Sequence, residues 1–593
     1  MILLVEFTTL MAMSRELLQL LFDREKQHRP IVSPDGTQLA YIRVEETGHE
    51  IVIQTLESGC EHQLTNGQLQ DDVPSPLVWH PDGDRIYFHR YEDKEPLPYD
   101  VHELSLDGAS QCVVAKEGRC LLRDISSSGR YLLVWQYTEG ARPNWIHRHD
   151  LHTGTTSAIL ETESVTTRSR FSPDGELVAY HDSETSDSEP KAPSDDCVRV
   201  GYADGGVKQE LSVGNSDTTT LLRDWHPTTA KLLLADDTKP RRRAVIYDLV
   251  NNTLHWFGDG ETEENPRFFL PDGSGFVSLR VFDGGTRKHP VVFTADGRSY
   301  ELDLEYGYYR VPVLRRQEAF VESDPVFAGS TATDPETVFH YNLETGECSG
   351  MLSADVDTSQ ATFVSPDYVT FDSADGVTVG ALYYPAASDG PSPGVVLVHG
   401  GPHTCARRRF TPEVSFLINE GYHVIRPNYR GSEGRGAEFA NAIIGDWGGG
   451  EQDDIEAAGR WLGDREDVDE NRLAIVGHSY GGYTALLQAL TRSERWAAAV
   501  PWNPAFRPEA PDPCEYADGV DSKVALLFLY GEHDGSGNLI SDVCESLRKQ
   551  GWRQGPDEDY VEHELVEQGH GSHGVRDEIQ VWGLIGDFLN RQL

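Results

Sequence analysis

A serine stands between closely spaced glycines in the motif G-H-S-Y-G-G at residues 477–482. The motif follows the apolar segment RLAIV and precedes the segment YTALLQAL, whose apolar residues have helical spacing. Between a strand and a helix, G-x-S-x-G forms a strained turn that lifts the serine hydroxyl clear of the sheet. The motif therefore predicts that Ser479 is a nucleophile.

A nucleophilic serine requires a base, a group that orients the base, and donors for the developing oxyanion. Asp534 follows the strand-like segment VALLFLYG, and His570 lies between two glycines after the segment YVEHELVEQ. The chain order Ser, Asp, His is that of α/β-hydrolases. We therefore predict that Ser479, Asp534 and His570 form a catalytic triad.

Neighbouring residues offer alternatives for the acid and the base. His533 and His573 are the other candidate bases, and Glu532 and Asp542 are the other candidate acids. The glycines on both sides of His570 favour it over the other two histidines.

The segment H-G-G-P at residues 399–402 ends the strand-like run PGVVLV, where α/β-hydrolases place a glycine-rich oxyanion loop. The backbone N–H of Tyr480, the residue after the nucleophile, is one expected donor, and that of Gly401 is the second. A donor of this type contributes about 3–4 kcal/mol to transition-state stabilisation.

Two regions of the chain, each with its own pattern of strands, helices and turns, must position these residues. The turn S-P-D-G, or a variant of it, recurs at intervals of 44 to 54 residues, starting at positions 33, 80, 126, 172, 226 and 270. Short β patterns follow most of these turns. A period near 46 residues is typical of a β-propeller with four strands in each blade. With a further blade over 326–348, we predict about seven blades over residues 28–360.

From about residue 361 to residue 593, strand and helix patterns alternate. Short strands rich in Val, Ile and Leu, separated by helices, predict a mostly parallel sheet covered on both faces. This part is expected to be an α/β-hydrolase catalytic domain. Residues 1–27 form an N-terminal extension, in which 14–27 predict a helix that packs on the hydrolase domain.

A histidine-rich segment raises the possibility of a metal site. His147, His149 and His152 surround Asp150. Alternating positions on an exposed propeller strand explain the same pattern, so we predict neither a metal nor a cofactor.

Four motifs together carry a resemblance to a known family: H-G-G-P (399–402), N-Y-R-G-S (428–432), G-D-W-G (445–448) and G-x-S-x-G-G (477–482). With a preceding propeller, they resemble the prolyl oligopeptidase family, and most of all its acylaminoacyl-peptidase-like branch. The resemblance implies a serine peptidase that acts on short peptides, with a catalytic centre that faces the propeller.

The sequence departs from that family in three places. The segment 503–523 is short and rich in Pro and acidic residues, where the family has a longer helical segment. The loop 534–537 lacks the usual Pro and Val, and Ser572 replaces a frequent aromatic residue. These departures leave open a carboxylesterase-like hydrolase, or a peptide-binding propeller that carries a weakened hydrolase domain.

The chain has 593 residues, with 97 acidic and 51 basic side chains and a formal net charge of -46. Because nucleic-acid affinity depends on neutralising phosphates, this charge argues against a nucleic-acid partner, and an anionic membrane would repel the chain as well. The first 13 residues have neither the flanks of a signal peptide nor the length of a membrane span. Eight scattered Cys suit a reducing cytoplasm, and a homo-oligomer is compatible with the resemblance.

The basic residues are unevenly divided, because 10 of the 51 are Lys and the remaining 41 are Arg. An acidic excess with so little Lys resembles proteins of salt-accumulating halophiles. Molar salt screens the self-repulsion of such a surface, while the charge maintains solubility. We therefore predict a halophilic cytoplasmic protein.

Overall fold

The computed structural model describes the chain in the following ranges: 14–22, 26–45, 48–66, 77–91, 99–116, 118–137, 143–162, 168–183, 196–211, 213, 219–237, 239–313, 315–353, 361–386, 390–507, 510–517, 520, 524–571 and 574–593.

The first part of the chain forms seven four-stranded antiparallel units, which confirms the predicted propeller. Blades 1 to 3 consist of β1 (Lys26–Val32), β2 (Gln38–Glu45), β3 (Gly48–Thr55), β4 (Glu61–Gln63); β5 (Val78–Trp79), β6 (Arg85–Tyr91), β7 (Tyr99–Ser105), β8 (Ser110–Val114); and β9 (Arg119–Ile125), β10 (Tyr131–Tyr137), β11 (Asn144–Asp150), β12 (Thr155–Thr162). Blades 4 to 6 consist of β13 (Ser169–Phe171), β14 (Leu177–Ser183), β15 (Asp196–Tyr202), β16 (Val207–Glu210); β17 (Thr220–Trp225), β18 (Lys231–Asp236), β19 (Arg243–Asp248), β20 (Thr253–Phe257); and β21 (Glu263–Phe269), β22 (Gly275–Phe282), β23 (Arg287–Thr294), β24 (Ser299–Glu301). Blade 7 consists of β25 (Tyr308–Arg310), β27 (Asp324–Ser330), β28 (Thr337–Tyr341) and β29 (Cys348–Ser353), with the short β26 (Phe320–Val321) paired to β27.

The recurring turns join the first and second strands of the blades. In blade 2 the N–H of Gly83 donates to the carbonyl oxygen of His80 at 2.9 Å, and Gly83 has a φ of 72°. In blade 4 Gly175 and Ser172 repeat this arrangement at 2.8 Å, with a φ of 75° at the glycine. Because this left-handed conformation favours glycine, the turn signal recurs in the sequence with the blades.

The second part is an eight-stranded sheet with the order β30-β31-β33-β32-β34-β35-β36-β37. Its strands are β30 (Asp367–Asp372), β31 (Thr378–Tyr384), β32 (Ser392–Val398), β33 (His423–Asn428), β34 (Val468–His478), β35 (Ala498–Trp502), β36 (Ala525–Gly531) and β37 (Tyr560–Leu565). The strands β32 to β37 are parallel to one another, whereas β30 and β31 are antiparallel to their neighbours. The mostly parallel sheet of an α/β-hydrolase is therefore confirmed.

Helices cover both faces of this sheet. They are α1 (14–22), α2 (Pro412–Asn419), α3 (Ala437–Asn441), α4 (Gly450–Gly463), α5 (Tyr480–Thr491), α6 (Pro513–Ala517), α7 (Ser536–Lys549) and α8 (Val575–Gln592). One face carries α4, α5 and α7 in a single apolar cluster, and the other carries α2 and α8. Leu18, Leu21 and Phe22 of α1 are buried in the second of these clusters.

Two elements differ from the sequence-based expectation. The helix predicted over 14–27 is described over 14–22, and Lys26 and Gln27 belong to β1 instead. β30 was not predicted, because its residues are half-exposed and its apolar pattern is weak. Among the described residues, no helix is both long enough and apolar enough to cross a membrane.

Candidate active site

Ser479 occupies the sharp turn between β34 and α5. Its backbone has φ 58° and ψ −121°, a conformation that side-chain-bearing residues rarely adopt. A Cβ on Gly477 would collide with the carbonyl oxygen of Gly481, and a Cβ on Gly481 would collide with that of Val398. The glycines of the motif are therefore required for the close passage of the backbone around the serine.

The structure brings Ser479, His570 and Asp534 together. The distance between Ser479 Oγ and His570 Nε2 is 2.8 Å, and that between His570 Nδ1 and Asp534 Oδ2 is 2.5 Å. The His570 side chain is 52% exposed, whereas that of Asp534 is 7% exposed. The imidazole thus lies between the hydroxyl and a buried carboxylate, at hydrogen-bond distance from both.

The Asp534 carboxylate remains ionised in this setting. Burial raises its pKa, but hydrogen bonds from Ser536 and His570 outweigh burial and hold the pKa below its ordinary value. The backbone N–H of Ser536 donates to Asp534 Oδ1 at 2.8 Å. The loop after the acid, which lacks the usual Pro and Val, therefore still supplies a backbone donor that fixes the carboxylate.

The alternative acids and bases lie elsewhere. The Glu532 carboxylate accepts a hydrogen bond from the N–H of Glu567 at 2.9 Å, and Asp542 is exposed on α7. His533 is exposed, and its N–H donates to the carbonyl oxygen of Gln568 at 2.9 Å. His573, together with Ser572, lies outside the described residues.

The predicted oxyanion loop lies directly over the nucleophile. A Cβ on Gly400 would lie 3.4 Å from Ser479 Cβ, and Gly401 has a φ of 126°. Tyr480 is the first residue of α5, so its N–H has no acceptor within that helix. The structure therefore places Gly400, the neighbour of Gly401, against Ser479, and Tyr480 directly after it.

His399, the residue before Gly400, holds the oxyanion loop in place through its packing and its hydrogen bonds. Its ring stacks on Tyr429 with a centroid separation of 4.4 Å, and its Nε2 lies 3.0 Å from Ser432 Oγ. Burial lowers the pKa of His399 to about 4, so the ring is neutral at pH 7. The H-G-G-P and N-Y-R-G-S motifs are thus parts of one packed unit.

Asn503, which the sequence analysis did not identify, joins the loops of the acid and the base. Its Nδ2 donates to the carbonyl oxygens of His570 at 2.9 Å and Gly569 at 3.2 Å. Its Oδ1 accepts from the N–H of Gly531 at 2.9 Å, and Asn503 is only 1% exposed. Its position directly after β35, at the same edge as Ser479, is the one sequence signal that it offers.

His478 fixes the same loop from the nucleophile strand. Its Nε2 lies 2.6 Å from the carbonyl oxygen of His570, and its ring packs on Trp502 with a centroid separation of 4.3 Å. Burial lowers the pKa of His478 to about 4. The ring is therefore neutral near pH 7, and an Nε2–H tautomer donates to that carbonyl.

The G-D-W-G motif packs against the other side of the nucleophile turn. Trp447 contacts Tyr480 edge-to-face, with ring centroids 4.5 Å apart. The fully buried Glu451 carboxylate accepts from Tyr480 Oη at 2.8 Å and from the N–H of Gly448 at 2.6 Å. Burial raises the pKa of Glu451, and these donors stabilise its charged form.

The catalytic edge of the sheet faces the propeller. Segments that follow β32 and β33 contact it directly: the N–H of Arg408 donates to the carbonyl oxygen of Thr286 at 2.7 Å, and the N–H of Gly436 donates to Glu263 at 2.5 Å. A cavity of about 130 Å³ between the two parts is lined by residues that include His403. Because parallel strands end at a common edge, Ser479 lies on the same side as these contacts.

His149 and Asp150 of the histidine-rich segment in blade 3 have partners outside that segment. His149 Nδ1 lies 2.8 Å from Thr156 Oγ1, and the Asp150 carboxylate pairs with Arg130 at 2.8 Å. The three histidines of this segment are not brought together as a ligand set among the described residues. The strand pattern therefore accounts for their positions.

Comparison with known proteins agrees with this geometry. Residues 408–535 match the model of the prolyl oligopeptidase family. The protein named dipeptidyl peptidase family member 6 from Caenorhabditis elegans is 36% identical over 551 residues, which cover 81% of this chain and 70% of that protein. The chain belongs to the prolyl oligopeptidase family. It is accordingly a serine-type peptidase, and the predicted hydrolase class is confirmed.

Solved structures show that the peptidase has the propeller and hydrolase fold of this family. It matches a puromycin-hydrolyzing peptidase of Mycobacterium tuberculosis with a TM-score of 0.79 and 18% identity, over 97% of this chain and 96% of that one. It also matches an acylaminoacyl peptidase of Pyrococcus horikoshii with a TM-score of 0.70 and 17% identity, over 96% of both chains.

Proposed function

We propose that this peptidase hydrolyses short peptides through an acyl-enzyme formed on Ser479. The observation that carries the proposal is the continuous contact from Ser479 Oγ to His570 Nε2 at 2.8 Å and from His570 Nδ1 to Asp534 at 2.5 Å. In this proposal His570 takes the hydroxyl proton as Ser479 attacks the scissile carbonyl carbon. Asp534 orients the ring and stabilises the imidazolium that forms.

The remaining steps use the same groups. The backbone N–H groups of Gly401 and Tyr480 stabilise the oxyanion of the tetrahedral intermediate. His570 then protonates the leaving amine, and the peptide C–N bond breaks. A water molecule that His570 deprotonates cleaves the resulting ester, which releases the carboxylic acid and restores the serine.

We further propose that the substrates are oligopeptides from which N-terminal residues, acylated or free, or dipeptides are released. The family membership and the names of the relatives, which include a dipeptidyl peptidase and an acylaminoacyl peptidase, support this class. The location of Ser479 at the edge that faces the propeller favours small or unstructured peptides. No metal or cofactor enters the proposed chemistry.

The surroundings of the enzyme are also part of the proposal. A net charge of -46 with 10 Lys against 41 Arg supports a cytoplasm of high salt concentration.

We propose a domain division at 28–360 for the propeller and 361–593 for the hydrolase, with residues 1–27 as an extension. A homo-oligomer is compatible with this proposal, and nucleic acid and membrane partners are not part of it.

A substrate panel in molar KCl tests the proposed function. Acyl-aminoacyl, dipeptidyl and Gly-Pro peptides, together with short-chain esters, separate the peptidase subtypes from a carboxylesterase. We expect peptide hydrolysis by the wild type and a loss on the order of 10⁶ in kcat for Ser479→Ala. Hydrolysis of esters alone would overturn the peptidase proposal, and near-normal turnover by Ser479→Ala would overturn the assigned nucleophile. Peptide binding without any hydrolysis would indicate a binding propeller with a weakened hydrolase domain.

A further inference from the structure

Arginine occupies the bulge in the first strand of four propeller blades. The strand pairing slips by one residue at Arg123 in β9, at Arg223 in β17 and at Arg267 in β21. A similar slip occurs in β1 around Arg29, whose φ is 57°. A β-bulge re-aims the side chain of the extra residue. We call these four residues the bulge arginines.

The first strands of the blades lie innermost. The neighbouring first strands β9, β13, β17 and β21 contact one another, whereas the fourth strands of the blades are largely exposed. The bulge arginines of blades 3, 5 and 6, together with Arg168 beside β13 of blade 4, therefore converge on the central channel. Their mutual repulsion agrees with this location, because burial and the charges of Arg168 and Arg267 lower the pKa of Arg223.

The same effect acts on the other members of the group. Burial and the nearby charges of Arg170 and Arg168 lower the pKa of Arg123 to about 9. Burial and the nearby charges of Arg267 and Arg170 lower the pKa of Arg168 to about 10. These shifts agree with the strand contacts, which place side chains from four different blades around one axis.

Three of the bulge arginines lack an acidic partner. Within the described residues, the guanidinium groups of Arg123, Arg223 and Arg267 donate no hydrogen bond and form no ion pair, and their Nε atoms are buried. Arg223 is 8% exposed, and Arg123 packs on the ring of Trp135 at 5.2 Å. Burying a cation without a counter-charge is costly, although this chain has 97 acidic residues to supply one.

Two arginines at the end of the channel away from the hydrolase domain, by contrast, form ion pairs with acidic residues. Arg315 contacts Asp124 at 2.8 Å and Glu318 at 3.0 Å, and Arg316 contacts Asp224 at 3.1 Å. These contacts join blades 3, 5 and 7 and close this end of the channel. Arg123 and Arg223 precede Asp124 and Asp224 in their strands, on the side away from these ion pairs.

The opposite end of the channel faces the hydrolase domain. The first strands of blades 1 to 6 end at the recurring turn, those of blades 3 and 5 at the Arg315 closure, and they begin on the opposite side. At that side Glu263, the first residue of β21, accepts the N–H of Gly436 in the hydrolase domain. The hydrolase domain and Ser479 therefore lie on the side of the bulge arginines opposite the Arg315 closure.

We propose that the bulge arginines form an anion-binding chamber that receives a carboxylate at the C-terminal end of a peptide substrate. Guanidinium groups bind carboxylates through paired, charge-assisted hydrogen bonds. A peptide whose N-terminal end is cleaved at Ser479 carries its free carboxylate away from that serine and into the chamber. This inference rests on the proposed peptidase function and specifies its substrates.

Binding to the Ser479→Ala variant tests the chamber without turnover. The probes are a neutral pentapeptide with a free C-terminal carboxylate, the same peptide as the C-terminal amide, and an amide that ends in Glu. At a fixed KCl concentration, calorimetry should show that the free acid binds roughly ten- to hundred-fold more tightly than the neutral amide. Tight binding of the Glu-containing amide would identify a side-chain carboxylate as a second source of the same anion.

Substitutions in the chamber give the decisive comparison. Arg223→Gln and Arg267→Gln should each reduce the preference for the acid over the amide by roughly ten-fold, and Arg223→Lys should retain part of it. Arg298→Gln removes an exposed arginine that pairs with Asp296 and is the matched control, which should keep the full preference. Equal affinities for acid and amide in the parent, or an equal effect of Arg298→Gln, would overturn the chamber.

Thermal melting separates ligand binding from a structural role. Because Arg223→Gln removes an unpaired buried cation, its Tm should equal or exceed that of the parent. A lower Tm together with equal losses for acid and amide would indicate a structural role and overturn the proposal.

In the wild-type background, hydrolysis of the neutral amide without any preference for the acid would refute the chamber alone. The absence of hydrolysis of every peptide would refute the proposed function instead.

Discussion

The side-chain amide of Asn503 donates to the carbonyl oxygen of His570 at 2.9 Å and thereby ties the loop of the base to the end of β35. The same side chain accepts the N–H of Gly531, at the end of the strand that precedes Asp534. One buried residue therefore sets the positions of both loops that must meet Ser479. Asn503 acts through these loops and is a positioning residue.

Asn503→Ala should lower kcat more than it changes KM. Small displacements of His570 relative to Ser479 disturb proton transfer, so we expect a loss of roughly ten- to hundred-fold in kcat. The unpaired N–H and carbonyl groups should also destabilise the fold by about 1–3 kcal/mol. Steady-state kinetics on a short peptide and thermal melting measure the two effects.

A core substitution distant from the site provides the control for Asn503→Ala. Val200 is fully buried in blade 4, and Val200→Ala should lower the Tm with little change in kcat. If the two variants lost stability equally and both retained normal kcat, Asn503 would have no positioning role.

Acid should destabilise the protein through its buried histidines. The pKa of His478 is lowered to about 4 by burial, whereas an unfolded chain has the ordinary value near 6.5. Between these values the unfolded state binds a proton that the folded state does not, so this stability is complete above pH 6.5 and is lost as the pH falls toward 4. His399 has a similar lowered pKa and adds to the effect.

His478→Gln retains a donor but does not titrate, so the decline of its Tm between pH 7 and pH 5 should be smaller than that of the wild type. We expect a difference on the order of 1–3 °C. His255→Gln, at an exposed position on β20, is the matched control and should follow the wild type. Identical slopes for His478→Gln and the wild type would show that His478 does not contribute to this linkage.

A site residue could be predicted where the sequence next to it reveals its role. The turn at Ser479 is encoded by adjacent glycines, and Asp534 and His570 each follow a recognisable strand in the expected order. Asn503 also follows a strand, but its role was not predicted, because that role comes from contacts with residues 28 and 67 positions away.

The same reasoning applies to the fold. Recurrent turns predicted six of the seven blades because each of these blades carries its own copy of the signal, and the seventh was predicted from the segment 326–348. The bulge arginines were not predicted, since a bulge appears only in the pairing between strands and a channel only after several blades have assembled. The end of α1 was misplaced because residues 26 and 27 pair with β2, a contact that overrides local helical preference.

Salt should stabilise and activate the enzyme. The Debye length falls from about 10 Å at 0.1 M salt to about 3 Å at 1 M, so most of the self-repulsion of a chain with net charge -46 should be screened in that interval. We expect Tm and kcat/KM to rise across this range and then to level off. Thermal melting and peptide hydrolysis in a KCl series measure the effect. Equal stability in dilute buffer and in molar KCl would contradict the proposed adaptation and leave the catalytic assignment untouched.

The central claim is that Ser479 is the nucleophile of a functional triad, and covalent labelling tests it most directly. Folded protein in molar KCl is treated with a fluorophosphonate, and the modified residue is identified by mass spectrometry. We predict one adduct per chain, located on Ser479, with slower labelling of Asp534→Asn and none of Ser479→Ala. Folded protein that hydrolyses peptides but carries no adduct on Ser479 would contradict the account.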